Sequence, residues 1–496
     1  MFGTSTARYL SLIILLCIGM NGLAERDQFS VRDFGAVGDG KTDDTPAFQK
    51  ALDEAGKAGG GIVAVSIGNY LIASHLNIPN EVTLEGVWSI PTAWTQMHGS
   101  TLLAVEGIGS EEGPPFITLN ANSTIKGITV FYPDQKPEDI KPYPPCVACN
   151  NGDNASIVDC LLVNPYYAVD FATQRSGRHY IRNLYGQPLK RGITISQCYD
   201  VGRIENVHFW PFWTWDTKTG IRKWMWENGE AFVFGRTDWQ YVFNTFCFGY
   251  KVGYRFTGTE HGVCNGNFLG IGADASVNAI VIDKCSPNGL LITNGEFVAF
   301  ATQDPISLVV GKENEGVLQF ANCAFWGPSS QIARIEGTGS VTFQGCNFRD
   351  YDRLSMGRPA IELLGGHLMV SNSLFTRPSP QLIVGEGASS AIVMGNRFAG
   401  PQCIQWPDGA AVQIGFNVEN SDGLELKVPP PVTSRTEEPG AIMVTVDLRK
   451  DHGKWNQLGD FPFMKGQSGA VIVSNEADGN VMADAVKFVP RGENKD

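Results

Sequence analysis

Residues 291–348 read LITNGEFVAFATQDPISLVVGKENEGVLQFANCAFWGPSSQIARIEGTGSVTFQGCNF, and one short signature recurs in them: Asn294 to Phe297, Asn322 to Phe325 and Gly345 to Phe348. Each time a glycine or small polar residue is followed three positions later by a large apolar one. Working outward, the same offset links Asn372 to Phe375 and Gly395 to Phe398 on one side, and Asn206 to Phe209, Asp159 to Leu162 and Gly127 to Val130 on the other. Phe243-Asn244-Thr245-Phe246 and Asn265-Gly266-Asn267-Phe268 fill the gap. From Phe246 the spacings are 22, 29, 28, 23, 27 and 23 residues. A period of that size marks stacked coils with loops of varying length. Short runs such as Val201 to Val207, Ala279 to Ile282 and Ile306 to Val310, broken by Gly, Asn or Asp, supply the strands. The expectation is an all-β parallel helix of strands about 4.8 Å apart, with Phe246, Phe268, Phe297, Phe325, Phe348, Phe375 and Phe398 in one interior file. A propeller needs longer blades, and a sandwich does not account for so many one-strand intervals.

Composition agrees. Of 496 residues, 43% are hydrophobic, 57 are glycine and 18% are charged, which suits tight turns and a large core more than solvent-washed helices. The net charge of −13, without a basic cluster, argues against a nucleic-acid partner. Arg8, the apolar run Leu10 to Ile18 and the small-residue site Gly22-Leu23-Ala24 form a secretory signal peptide, residues 1–24. The run is too short for a membrane span, so the mature chain is expected to be secreted or periplasmic. Cys160, Cys323 and Cys346 recur at one place in the repeat and belong to the core; Cys146-Val147-Ala148-Cys149 is the one close pair, open to a disulfide.

Before the repeat, residues 29–73 read as strand, glycine turn, helix and strand. Asp43 or Asp44 can cap the helix, Pro46 fits its first turn, and Ala47, Phe48, Ala51, Leu52 and Ala55 make its apolar face. Asp39, Asp43 and Asp44 read as turn and cap residues rather than catalytic ones. The stretch DFGAVGDGKTDDTPAFQKAL (33–52) followed by GGGIVAVSIGNYLI (59–72) resembles the opening of the pectate lyase superfamily, the rhamnogalacturonase- and epimerase-like group. The resemblance implies a right-handed parallel β-helix whose open end is covered by this helix, over residues 25–428 with the cap at 25–75. It implies a polysaccharide as partner. After a Pro-rich linker at 429–440, residues 441–490 form a small β segment that resembles the end of a golvesin-type C-terminal β-sandwich.

The longest coil insertion, between Phe209 and Phe246, holds Trp210, Trp213, Trp215, Trp224 and Trp226, with Trp239 close behind. Indole faces pack on the apolar faces of sugar rings, so these are the substrate-binding candidates, with Arg236 the nearest cation for a uronate. Packing of the loop onto the helix and a subunit contact are the competing readings, and monomer and homo-oligomer both stay open. Asp238 and Glu260 each precede a ladder phenylalanine by eight residues, so they should stack as the carboxyl pair that glycoside hydrolysis needs. Asp216, Glu227, Glu230 and His261 follow as catalytic candidates. Asn-Thr-Asp, Arg-Ile-Lys and Asp-Pro-His-Glu signatures of known subfamilies are absent. Acidic residues outnumber well-placed basic ones in the aromatic region, so hydrolysis of a pectin-like or other uronate-containing polysaccharide is the leading expectation. A lyase or epimerase that uses a base, and a non-catalytic binder, are the alternatives. No cofactor is called for, although calcium could bridge acidic residues to an acidic sugar.

Overall fold

The computed structural model describes residues 28–88, 98–211, 220–301 and 304–419. The chain divides into compact units Met1–Leu424 and Glu425–Asp496. The stretches expected to be a signal peptide (1–24), a linker (429–440) and a small β segment (441–490) lie outside the described residues.

Most coils contribute three strands, and those at Ser156–Val163, Tyr180–Gln187 and Arg203–Phe209 merge the first two into one. The coil holding Gln240–Phe243, Phe246–Phe248 and Val252–Phe256 is followed by Gly266–Leu269, Gly272–Ser276 and Asn278–Ile282, each strand pairing in parallel with its counterpart. Repetition yields two sheets among the described residues: one of 13 strands, and one of 27 that takes two strands from most coils. Strand runs Ile306–Val310 and Asn278–Ile282 match the sequence reading closely, while the run expected at 201–207 forms Arg203–Phe209. The architecture is a right-handed parallel β-helix.

The recurring polar residue has a physical reason. It sits in the left-handed region at the bend between the two strand files of the larger sheet: Asp159, Asn183, Asn206, Asn244, Asn294, Asn322 and Asn372 have φ between 51° and 56°. Asn tolerates this conformation better than other side chains do, and glycine takes it freely at 127, 345 and 395. The side chains also stack: Asn183 Nδ2 donates to Asp159 Oδ1 at 2.7 Å and Asn206 Nδ2 to Asn183 Oδ1 at 2.7 Å.

Three positions after the bend the chain points inward. Phe297, Phe325, Phe348, Phe375 and Phe398 are buried and form a file with centroids 4.6 to 5.6 Å apart. Phe246 and Phe268 do not belong to it. At Asn244 the inward residue is Cys247, and Phe246 faces outward against His208. Phe268 is buried, but before the bend, in the file of Val242, Ile292, Phe320 and Phe343. At this level the core is filled from across. The Tyr254 hydroxyl reaches Thr245 and the Gly272 carbonyl, so only small residues, Cys247 and Ala273, fit opposite.

The cap helix spans Thr45–Lys57, with Asp44 at its N-cap position and Pro46 in its first turn as the sequence suggests, and the preceding Asp39–Asp43 pairs as a strand with the residues around Asn69 and Leu71. Its buried face is Ala47, Phe48, Ala51, Leu52 and Ala55. The aspartates are structural. Asp44 accepts from the backbone N–H of Val37 and Gly38, Asp43 from Thr45, and Asp39 from Lys41 and Thr42. Cys146, Cys149, Cys160, Cys323 and Cys346 are free and buried, and burial pushes the Cys146 and Cys149 thiols up to about 12.

Candidate functional site

The stacking proposed for Asp238 and Glu260 fails on register. Gln240 pairs with Gly266, which sets Asp238 level with Cys264. Glu260 instead projects from the tight turn Thr259–Gly262, its side chain 87% exposed, with His261 Nε2 at 3.5 Å. The equal offset arose from counting back from Phe246 and Phe268, which are not equivalent positions. Glu227 is exposed and pairs with Lys223 at 3.7 Å, one helical turn away.

The tryptophans divide similarly. Helix Ile221–Asn228 lies at the corner between the sheets, held by buried Ile221 and Met225. Trp224 packs on Tyr166 at 6.0 Å, and Trp226 donates to the Ala275 carbonyl at 2.8 Å with Arg222 over its ring at 4.5 Å. These two rings pin the helix across several coils. Trp210 lies against Phe248 at 4.7 Å, on the outer face of the larger sheet. Trp239, half-buried, takes a left-handed backbone, and its backbone N–H donates to Asn265 Oδ1. Arg236 stacks over Tyr199 and donates to the Cys198 carbonyl. Trp213, Trp215 and Asp216 lie outside the described residues.

Glu230 is the candidate that stands at a site. On the outer face of the 13-stranded sheet a cleft of about 330 Å³ is lined by Arg191, Thr194, Ser196, Glu230, Arg255 and Thr257, among others. Register aligns Tyr167, Arg191 and Glu230 in one row across three coils, and Asp170, Thr194, Val233 and Arg255 in the next. Gly192 lets these strands approach, because a Cβ there would stand 2.2 Å from the Ala231 carbonyl oxygen. The Glu230 side chain is only 15% exposed. Its two oxygens are held apart by guanidinium groups, Arg191 Nη2 at 3.2 Å and Arg255 Nε at 2.7 Å, while Arg255 Nη1 reaches Asp283 at 2.8 Å. Burial works against the Arg255 charge, yet Asp283 and Glu230 outweigh it and hold its pKa above the usual arginine value.

Tyr167 completes the row. Arg191 lies 5.8 Å over its ring, and its hydroxyl donates to Glu111, which also accepts from Tyr166 at 2.9 Å. These two phenols hold the Glu111 carboxyl below its ordinary range. Burial, with Glu111 adding to it, pushes Tyr167 up to about 12, so it keeps its proton at neutral pH. Asp170 accepts from Ala172 N, Thr173 N and Thr173 Oγ1, a local turn. Among the described residues, no three His, Cys, Asp or Glu side chains gather as metal ligands.

Sequence reading missed Arg191, Arg255, Asp283, Tyr167 and Glu111. A usable signal was present: RGITI, EAFVF and VGYRF each carry one charge in an otherwise apolar strand. Such a charge must find a partner when the coils stack.

Fold and cleft define a right-handed parallel β-helix with a charged cleft on one sheet. Residues 28–226 match the family model described as rhamnogalacturonase A/epimerase, pectate lyase-like, and residues 432–490 match the Golvesin C-terminal domain. The chain is 56% identical over 46 residues to alginate lyase 7 of Azotobacter vinelandii, covering 9% of this chain and 5% of that protein. It is 47% identical over 108 residues to mannuronan C5-epimerase AlgE3 of the same organism, covering 19% and 6%. It thus spans about one-twentieth of the length of these relatives. The N-terminal fragment of bacteriophage phi29 gene product 12 shares the fold, with a TM-score of 0.54 at 13% identity over 84% of this chain and 76% of that one. No helix among the described residues is long and apolar enough to cross a membrane.

Proposed function

We propose that the protein is an exported enzyme that acts on a uronate-containing polysaccharide at the Arg191–Glu230–Arg255 cleft, with Tyr167 level with Arg191 in the adjoining coil, by proton abstraction next to the uronate carboxylate. The observation that carries this reading is Glu230 clamped between two guanidinium groups. An incoming uronate carboxylate competes for the same donors, since each arginine has N–H groups to share. As Arg191 and Arg255 turn to the substrate they neutralise its charge and acidify the adjacent carbon, while Glu230 is released from its donors. Glu230 then takes the proton. Tyr167, protonated and held by Glu111, gives one to the leaving glycosidic oxygen in a lyase, or to the opposite face of the sugar in an epimerase. The relatives support this class, being named a lyase and an epimerase.

Hydrolysis is the second reading, favoured by one observation on another face. Burial raises the pKa of the Asp274 carboxyl above its ordinary value and Glu296 adds to the rise, against a hydrogen bond from the Ala275 N–H. A carboxyl whose pKa is raised beside a second carboxylate is the kind of pairing hydrolysis uses.

The test incubates the purified protein with alginate, pectate, xanthan and neutral glucans, with calcium and with EDTA. It follows ultraviolet absorbance of unsaturated uronates, reducing ends and sugar configuration by NMR. Glu230→Gln and Tyr167→Phe should each lose at least about a hundredfold in turnover while their melting stays cooperative. Reducing ends without unsaturated product, lost in Asp274→Asn but kept in Glu230→Gln, transfer the chemistry to Asp274 and Glu296. Polymer binding with no product from any substrate overturns catalysis. N-terminal sequencing of the exported protein should start near Glu25.

A further inference from the structure

We infer that a second face of the same coils, on the larger sheet ahead of the asparagine bend, holds a remote stretch of the polysaccharide chain. Register sets Tyr180, Arg203, Tyr241, Asn267 and Leu291 level on this face, and beside them Arg182, Glu205, Phe243, Leu269 and Thr293. The strand Gln240–Phe243 already buries its inward residues, Gln240 and Val242. Tyr241 and Phe243 point the other way and are 42% and 50% exposed, with Leu269 at 37% in the next coil. Large rings in mid-strand, facing water, add nothing to the core and mark a surface that meets something.

Three features select a glycan. Exposed aromatic faces match the apolar faces of sugar rings. Arg203, exposed and level with Tyr241, offers a guanidinium to an anionic group on the sugar, whereas Arg182, 6.0 Å over the Tyr180 ring, is engaged with Asp159 at 3.9 Å and sits beside Glu205. One guanidinium beside two open rings suits a sugar that carries a carboxylate. The apolar patch is also only three side chains wide, far short of the roughly 800 Å² per partner that a stable protein interface buries. A narrow, extended ligand fits, and the coil repeat gives it a regular track. The acidic class of polymer rests on the reading of the cleft, whereas the site itself does not. The face is separate from the cleft, which lies on the 13-stranded sheet.

The test is a Tyr241→Ser, Phe243→Ser double variant, both positions being solvent-facing. Affinity electrophoresis in pectate and alginate gels should show about a tenfold loss of affinity for the polymer, the size expected when aromatic stacking worth about 1.4 kcal/mol is removed. Turnover of an oligosaccharide short enough to fill only the cleft should not change. Arg203→Gln should weaken binding to pectate but not to a neutral glucan. Unchanged polymer affinity in the double variant overturns the inference. So does a parent that is dimeric by light scattering and becomes monomeric in the double variant, since the occupant is then a second copy. Failure of the cleft reading shows up separately, as full turnover in Glu230→Gln, and leaves the electrophoresis result intact.

Discussion

At the scale of single residues, the bend positions explain why a coil of this protein tolerates so little change. Asn206 holds a φ of 51° and links Asn183 to Asn244 by side-chain hydrogen bonds. Asn206→Ala should cost about 1–3 kcal/mol in chemical denaturation, from the strained backbone and the broken ladder, and Asn206→Gly clearly less. Equal losses in the two variants would put the cost in the side-chain bonds alone. His179 is a second such residue. It is fully buried against Ser176 and Gln240, and burial lowers its pKa to about 4. Because the folded value lies below the unfolded one near 6.5, the unfolded chain binds the proton first. The stabilisation is therefore whole above pH 6.5 and drains away as pH falls towards 4, by roughly 3 kcal/mol. Unfolding measured between pH 7 and pH 4 should show this loss, and His179→Gln should flatten that part of the profile. No sequence pattern announced His179, since its role depends on Gln240, which arrives from a strand two coils along the stack.

Among the elements, the sequence is most legible where the periodic signal and the core agree. Asn294, Asn322, Gly345, Asn372 and Gly395 mark true bends, and the phenylalanine three residues on is inward each time. It misleads at Phe243 to Phe248, where outward Phe246 imitates the signature while the buried residue is Cys247, because Tyr254 occupies the space across the interior. The same irregularity leaves Asp238 level with Cys264 and Glu260 in a turn, not stacked on it. Phe325→Ala should therefore lose about 3–5 kcal/mol, since its ring lies between Phe297 and Phe348 in a filled file. Phe246→Ala should lose far less, and comparable losses would restore Phe246 to the file. The cleft was hidden for a different reason. Arg191, Glu230, Arg255 and Asp283 come from four coils, and only the register of the 13-stranded sheet brings them together.

For the whole molecule, stability in a stack is a sum over coils and their neighbours, so it need not be uniform along the axis. The middle coils bury nearly every inward residue, as in Ala273, Phe297 and Phe325, and pair on both sides. Towards the last described coil this falls away. Ile404 and Ile414 are only partly buried, Phe416 and Val418 are 91% and 55% exposed, and Val418–Glu419 pairs on one side, with Arg397–Phe398. Local opening costs less where fewer apolar contacts and ladder bonds must be broken. Amide hydrogen exchange in the intact chain should then be graded, with strands from Tyr180 to Gln344 most protected, Ala388–Met394 intermediate, and Val412–Gly415 fastest. Exchange that is uniform from Tyr180 to Gly415 would mean the described coils open only as one unit, and the neighbour-by-neighbour account would have to be given up.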